Sequence, residues 1–213
     1  HATLKELYIG DFHCEETELN WSFAGNLEPL CKGLPKLEEL VVRSGGLSGG
    51  TLAFPNLKSF TAISGQIGPK TLGDFANAKW PKLEKLSIQL GREINGKEAM
   101  EALQPVFKGK VLKQLKHLWL GNYHLTDELC EVLATAPILK QIDELDLSQG
   151  TMGDEGAAAL AAASARIALS LLDVSENYLS DDAINSLQGI AKSVEASDQE
   201  EDGGDPEDRY KSA

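Results

Sequence analysis

The fold is decided by a stretch that recurs along the chain, and its clearest copy is residues 142–160, which read IDELDLSQGTMGDEGAAAL. Its first, fourth and sixth residues are apolar, and the last two flank an outward-facing residue as in a half-buried strand. Asp154 and Glu155 then mark a helix start, because negative charge is favoured beside the exposed N–H groups of a first helical turn. The stretch therefore predicts a strand, a tight turn and a helix.

The same apolar spacing, i, i+3, i+5, occurs at seven places and indicates an internal repeat. Three successive copies, which start at Leu115, Ile142 and Leu169, are evenly placed 27 residues apart. The seven triplets are Leu4/Leu7/Ile9, Leu37/Leu40/Val42, Leu57/Phe60/Ala62, Leu83/Leu86/Ile88, Leu115/Leu118/Leu120, Ile142/Leu145/Leu147 and Leu169/Leu172/Val174.

Strands joined by crossovers of a dozen or more residues lie parallel, and one such unit cannot bury its apolar face alone. The sequence therefore predicts an α/β solenoid of about seven repeats. We expect its parallel sheet on the concave side and its helices on the convex side.

Two crossovers depart from the regular pattern. Residues 11–36 hold an acidic segment, then Trp21, then a short helical pattern; we expect Trp21 to fill the core, the alternative being a ligand contact. Residues 44–50 are rich in glycine and lie in a unit of only 20 residues, which is too short for a full helix. This second crossover is predicted to be a loop.

The repeat pattern ends at residue 192, and residues 193–213 form an acidic tail with eight Asp or Glu and two basic residues. So few apolar residues cannot offset the entropy of ordering, so we expect the tail to be disordered and its removal to leave the melting temperature nearly unchanged. The chain opens with His1, and residues 4–9 already read as a strand of the repeat. We therefore expect residues 1–192 to be an N-terminally truncated domain.

Composition limits the possible partners and location. The net charge of −13 argues against nucleic acid, because phosphate binding requires clustered Lys and Arg. The least polar run, residues 156–165, is too short to span a membrane. Three cysteines cannot all pair within one chain and match no zinc motif, so a reducing cytoplasm is the expected location.

Segments of the last two copies resemble leucine-rich repeats of the ribonuclease-inhibitor type. They read LDLS at 145–148 with GDEGA at 153–157, and LDVSENYL at 172–179, and the resemblance covers residues 2 to about 190. In such families an asparagine often follows the strand, but here only Asn177 holds that place.

A narrower resemblance is to a group of bacterial cytoplasmic leucine-rich-repeat proteins without an assigned biochemical function. It rests on EETELNW at 15–21, LPKLEEL at 34–40 and the acidic tail that ends near Arg209. This resemblance implies the scaffold and its bacterial, cytoplasmic setting, but no particular chemistry.

No catalytic constellation is recognisable. Cys14, Cys31 and Cys130 all fall at predicted core positions, where thiols are usually inert. Ser148 and Ser175 recur at strand ends without a nucleophile elbow or a base. We predict that the protein is not an enzyme and that it uses no metal and no cofactor.

The outward residues between the apolar anchors form the predicted binding surface. Trp119 is the outlier among them, because its neighbours in the strand are core residues and exposed Trp is enriched at binding hot spots. The alternative is that a loop or an upstream segment covers it, and the acidic residues fit a solvated face equally well. The predicted protein-binding residues are Tyr8, Val41, Thr61, Ser87, His117, Trp119, Asp143, Glu144, Asp146 and Asp173.

The predicted function is non-catalytic protein binding on the concave sheet face, to a partner with a basic surface. One alternative is a recognition module of a larger enzyme whose catalytic domain lies upstream of residue 1. Another is a purely structural or regulatory repeat array.

Overall fold

The computed structural model describes residues 3–11, 19–65, 67–91, 96–163 and 167–201. The chain divides into two compact units, residues 1–115 and 116–213, and both are built from parallel strands and helices. Among the described residues, no helix combines the length and the apolar character needed to cross a membrane.

The first unit contains six strands, three α-helices and a short 3-10 helix, Leu19–Trp21, within the described residues. The strands are β1 (Glu6–Ile9), β2 (Phe23–Asn26), β3 (Glu39–Arg43), β4 (Gly46–Ser48), β5 (Ser59–Ile63) and β6 (Lys85–Gly91). The helices are α1 (Glu28–Gly33), α2 (Pro69–Ala76) and α3 (Gly96–Phe107).

Strands β1, β3, β5 and β6 pair in parallel in that order. Their register places Leu40 beside Phe60 and Phe60 beside Leu86, and all three side chains are fully buried. Phe60 also meets Phe75 of α2 and Trp80, with ring centroids 4.9 Å and 4.7 Å away. An aromatic cluster therefore supports the middle of this sheet.

Strand β2 pairs only with β4, which occupies the glycine-rich crossover where the sequence predicts a loop. Phe23 lies over Gly46, where an added Cβ would come within 2.5 Å of the Phe23 ring. Trp21 and Phe23 are 77% and 82% exposed, whereas Leu27 is buried. The prediction that Trp21 fills the core is therefore wrong, because the core position of this crossover belongs to Leu27.

Within its described residues the second unit alternates strands and α-helices, and a short 3-10 helix, Pro137–Lys140, follows the first of these helices. Its strands are β7 (His117–Tyr123), β8 (Glu144–Asp146), β9 (Leu169–Asp173) and β10 (Ala191–Glu195). Its helices are α4 (Thr126–Thr135), α5 (Asp154–Ala162) and α6 (Asp181–Leu187). The four strands pair in parallel in chain order, and α5 packs between α4 and α6.

Strand β10 crosses the predicted start of the acidic tail. Val194 pairs in register with Leu172, and Glu195 pairs with Asp173. The chain remains attached beyond this strand, because the Glu200 N–H donates to the carbonyl of Asn177 at 2.7 Å. Residues 193–201 are thus bound to the sheet edge and are not a detached tail, while residues 202–213 lie outside the described residues.

Side-chain amides hold two turns of the second unit. Buried Asn177 accepts the N–H of Met152 at 2.9 Å and donates to the carbonyl of Leu147 at 2.9 Å. Gln199 does the same one strand further on, since it accepts the N–H of Leu179 at 2.9 Å. One extra methylene group lets a glutamine fill the role that the sequence assigns to asparagine.

Hydroxyl groups take this role where the asparagine is missing. Thr126 Oγ1 accepts the N–H of Thr151 at 3.0 Å and donates to the carbonyl of Tyr123 at 2.7 Å. Glycine is required at position 150, because a Cβ there would come within 2.6 Å of Thr126 Oγ1. The turns are therefore satisfied by several kinds of side chain.

Candidate functional site

The outer face of each sheet is the side opposite the buried apolar anchors. In the first unit, the predicted residues Tyr8, Val41, Thr61 and Ser87 are successive neighbours in the parallel register. Tyr8 is 51% exposed, Val41 and Thr61 are half-buried, and Ser87 is only 3% exposed. The structure therefore brings the four together in one row, of which Ser87 is not accessible to a partner.

The charged residues just before these strands neutralise one another. The carboxylate of Glu38 receives Lys5 Nζ on Oε1 and Lys58 Nζ on Oε2, both at 2.7 Å. Hydrogen bonds from these two lysines lower the pKa of Glu38 from its ordinary 4.5 to about 2. The outer face of the first unit is thus close to neutral along its central row and ion-paired at its margin.

The second unit has a different row at the same strand position. Trp119 pairs in register with Asp146, Asp146 with Asp173, and Asp173 with Glu195. Glu195 is exposed and the other three are half-buried. Within the part of the chain that the structure describes, none of these three carboxylates forms an ion pair. We call Trp119, Asp146, Asp173 and Glu195 the acidic row.

The indole of Trp119 lies along its own strand over Gly121. A Cβ added at Gly121 would come within 2.2 Å of the indole Nε1, so the ring occupies the space that a larger residue would need. Nε1 is buried and has no hydrogen-bond partner among the described residues. Trp119 occupies an outward strand position, as predicted. Its ring, however, packs over Gly121 of the same strand and is half-buried.

The two central carboxylates are oriented by the backbone. Asp146 Oδ1 accepts the N–H of Ser148 at 3.0 Å, and Asp173 Oδ1 accepts the N–H of Ser175 at 2.9 Å. Burial raises the pKa of Asp146, and the neighbouring charge of Asp173 adds to that rise, whereas the hydrogen bonds from Ser148 and the nearby His117 lower it. The pair is a fixed concentration of negative charge, and its chemistry suits a cationic ligand.

The other predicted residues of this unit lie at the margin of the acidic row. His117 Nδ1 contacts Glu144 Oε2 at 2.8 Å, on the pair of strands that also carries Trp119 and Asp146. Lys116 Nζ lies 3.4 Å from Asp143 Oδ2. Lys116 and His117 are thus engaged with acids at the margin, and no ion pair to the central row is present among the described side chains.

Sequence reasoning missed two residues of this face, Gly121 and Glu195. Glu195 was assigned to the tail, although Ala191, Val194 and Ala196 repeat the i, i+3, i+5 spacing of the strands. Two alanines in a triplet give a weak apolar signal. The place of Gly121 follows from alternation, because residues i and i+2 of a strand share a face.

The described thiols show no sign of activation. Cys130 is buried with its Sγ 3.2 Å from Met152 Sδ, and burial raises its pKa well above the ordinary value. Cys31 is half-buried, short of the core position predicted for it, and burial also raises its pKa. Cys14 lies outside the described residues. Over the described ranges, no group of three or more His, Cys, Asp or Glu is placed to hold a metal ion.

The fold and the site define an α/β protein with parallel strands and an acidic outer sheet face. No protein-family model matches the sequence, and no curated protein matches it. A similar structure is the crystal structure of a Bacteroides fragilis protein, a target of the Northeast Structural Genomics Consortium. It shares 30% sequence identity with a TM-score of 0.86 over 94% of this chain, which spans 58% of that protein's length.

Proposed function

We propose that the chain is a leucine-rich-repeat solenoid of the ribonuclease-inhibitor type, with about seven repeats and its outer sheet face on the concave side. The parallel register between apolar anchors within each unit supports this architecture. So does the alternation of strand and helix through the second unit. Asn177 and Gln199 supply the amide contacts that such repeats place after the strand.

The function that we propose is non-catalytic protein binding on this face, to a partner with a basic surface. One observation carries it: the acidic row places an indole in register with three carboxylates that have no ion pair within the described ranges. Rigid strands present these groups at little ordering cost on binding. A nucleic-acid partner is disfavoured, because phosphates would be repelled by the same charges.

We propose the cytoplasm as the location. Cys31 and Cys130 are free thiols, as is usual in a reducing compartment.

Affinity capture with paired baits tests the binding function. The baits are the wild-type protein, the double variant Asp146→Asn/Asp173→Asn, and a control variant Glu39→Gln, which removes an exposed charge from β3 of the first unit. We expect a protein that is retained by wild type and by the control and lost from the double variant. Identical retention by all three baits would remove the acidic row as the binding site, and capture of no partner would favour a structural array.

A second candidate function is a recognition module of a larger enzyme. The observation that favours it is the greater length of the similar Bacteroides fragilis protein, of which this chain spans 58%. The complete reading frame that encodes this chain is the test. A catalytic domain encoded upstream of His1 would support this role, whereas a frame without one would oppose it.

A further inference from the structure

We infer that the acidic row receives an arginine side chain of the protein partner, with the guanidinium lying against the Trp119 indole and hydrogen-bonding to Asp146, while Asp173 adds negative charge one strand further on. This inference rests on the proposed binding function and names the chemistry that the face recognises. Three features carry it: the spacing of the row, the fixed orientation of its groups, and the lack of an ion pair to its carboxylates among the described residues.

The spacing of the row lets one guanidinium contact its first two members, Trp119 and Asp146. Adjacent strands lie about 4.8 Å apart, so Asp146 is one strand from Trp119 and Asp173 is about 10 Å from it. Trp119, Asp146 and Asp173 are direct register neighbours. A planar guanidinium can stack on an indole and still direct N–H groups at a neighbouring carboxylate, which a lysine ammonium cannot do in the same way.

The groups are already oriented for such a ligand. Gly121 lets the Trp119 ring lie flat on the strand, because any Cβ at that place would overlap the ring. The N–H groups of Ser148 and Ser175 each fix one oxygen of Asp146 and Asp173. A ligand therefore meets a prearranged ring and carboxylates, and little conformational freedom is lost on binding.

The carboxylates of the row form no ion pair among the described residues, and His117 is the one described cationic group that acts on Asp146. Lys116 and His117 are engaged by Asp143 and Glu144, at 3.4 Å and 2.8 Å. For Asp146, Asp173 and Glu195, no ion pair is present among the described side chains. An organic cation fits better than a metal ion, because no group of three possible ligands is assembled in the described ranges.

A random peptide library displayed on phage tests the inference on the full chain. Peptides are selected on wild type and counter-selected on Asp146→Asn/Asp173→Asn, which keeps the side-chain shapes while removing the charges. We expect the selected peptides to contain arginine, and their arginine-to-citrulline versions to bind about tenfold more weakly. Arginine-to-lysine versions are expected to lose about threefold or more, because the stacking and bidentate geometry are lost.

Three protein variants locate the contact. Gly121→Ala and Trp119→Ala should each lower the affinity for an arginine peptide by about fivefold. The first variant displaces the indole ring and the second removes it. The control Glu176→Gln removes an exposed acid of the same unit outside the row and should leave affinity unchanged. Circular dichroism verifies folding, and Asp146→Asn alone serves as the test if Trp119→Ala does not fold.

The outcomes separate this inference from the proposed function. Some peptides could depend on the acidic row and yet bind equally well when their arginine is replaced by lysine or citrulline. Such peptides would overturn arginine recognition and leave protein binding in place. A library that yields no peptide sensitive to the double variant would overturn both. Equal losses for Glu176→Gln and Asp146→Asn would indicate general charge attraction and would also overturn the inference.

Discussion

The outer faces of the two units are each built on parallel strands, but they differ in charge. In the first unit, Glu38 is neutralised by Lys5 and Lys58, and the central row from Tyr8 to Ser87 is uncharged. In the second unit, the acidic row has no ion pair within the described residues.

The difference shows which positions set the fold and which are free for function. The buried anchors that directly precede the row residues are Leu40 and Phe60 in the first unit and Leu118 and Leu145 in the second. These anchors fix the register by burying apolar area. The residue between the anchors faces outward, so it can change from threonine to aspartate without altering the ladder.

The largest expected effect tests whether a buried anchor contributes similarly to stability in each unit. Phe60→Ala removes the centre of the aromatic cluster in the first unit and should lower the free energy of unfolding by about 3–5 kcal/mol. Leu145→Ala, at a buried anchor of the second unit, should cost about 2–5 kcal/mol. Urea unfolding measures both. A loss below about 1 kcal/mol at either site would show that its sheet is not supported by that anchor.

A truncation next tests the edge of the second unit. Removal of residues 193–213 takes away most of β10 and the Gln199 amide, leaving the N–H groups of Val174 and Leu179 without their partners. We expect a loss of about 2–4 kcal/mol in the free energy of unfolding, because these hydrogen bonds and the packing of β10 on β9 are lost. The matched control removes only residues 202–213. Equal stability of the two truncated proteins would show that β10 contributes nothing.

The sequence was sufficient for the seven repeat strands, their parallel pairing and most members of the two rows, but not for β2, β4, β10 or Glu195. Strands lie at all seven predicted places, and Trp119, Asp146 and Asp173 are register neighbours as alternation requires. Alternation is local and follows from backbone geometry, so it can be read from a single sequence.

The burial of individual side chains could not be predicted from this alternation. Ser87 and Trp21 show this in opposite directions, since the first is buried and the second is 77% exposed. Their exposure depends on which distant segments pack beside them. The sequence pattern does not predict strand β10, because its triplet of Ala191, Val194 and Ala196 has little apolar area.

An exchange of the two rows isolates the part played by charge. Asp146→Thr with Asp173→Val copies Thr61 and Val41 of the first unit into the second. Binding of an arginine peptide should fall by about tenfold or more, because the charge-assisted hydrogen bonding to Asp146 and the negative charge of Asp173 are both lost. Fluorescence anisotropy with a labelled peptide gives the affinities.

The reciprocal exchange is the control for this prediction. Val41→Asp with Thr61→Asp places two acids beside Tyr8 in the first unit without the indole and its glycine. These two substitutions are added to the protein that already carries Asp146→Thr and Asp173→Val. We expect the combined variant to bind the arginine peptide no better than that protein does. Recovered affinity would show that any pair of outer carboxylates is sufficient and that Trp119 is dispensable.

The smallest expected effect is a contrast in pH dependence between Glu38 and Asp146. The lowered pKa of Glu38, about 2, means that its contribution to stability is present above its ordinary 4.5 and is lost as the pH falls towards 2. Asp146 has the opposite sign: its pKa is raised by burial, so its charged form opposes folding above that pKa and this cost disappears as the pH falls through it.

Two variants followed by urea unfolding between pH 7 and about pH 3 separate these signs. Glu38→Gln should be slightly less stable than wild type at pH 7, since its accessible ion pairs are weakened by solvent. Asp146→Asn should be slightly more stable at pH 7, because it removes a half-buried charge and its repulsion by Asp173 while keeping an acceptor for the Ser148 N–H. Both differences should shrink as the pH falls. A stability gain from Glu38→Gln, or a loss from Asp146→Asn that persists at low pH, would show that the two faces do not differ in the electrostatic sense described.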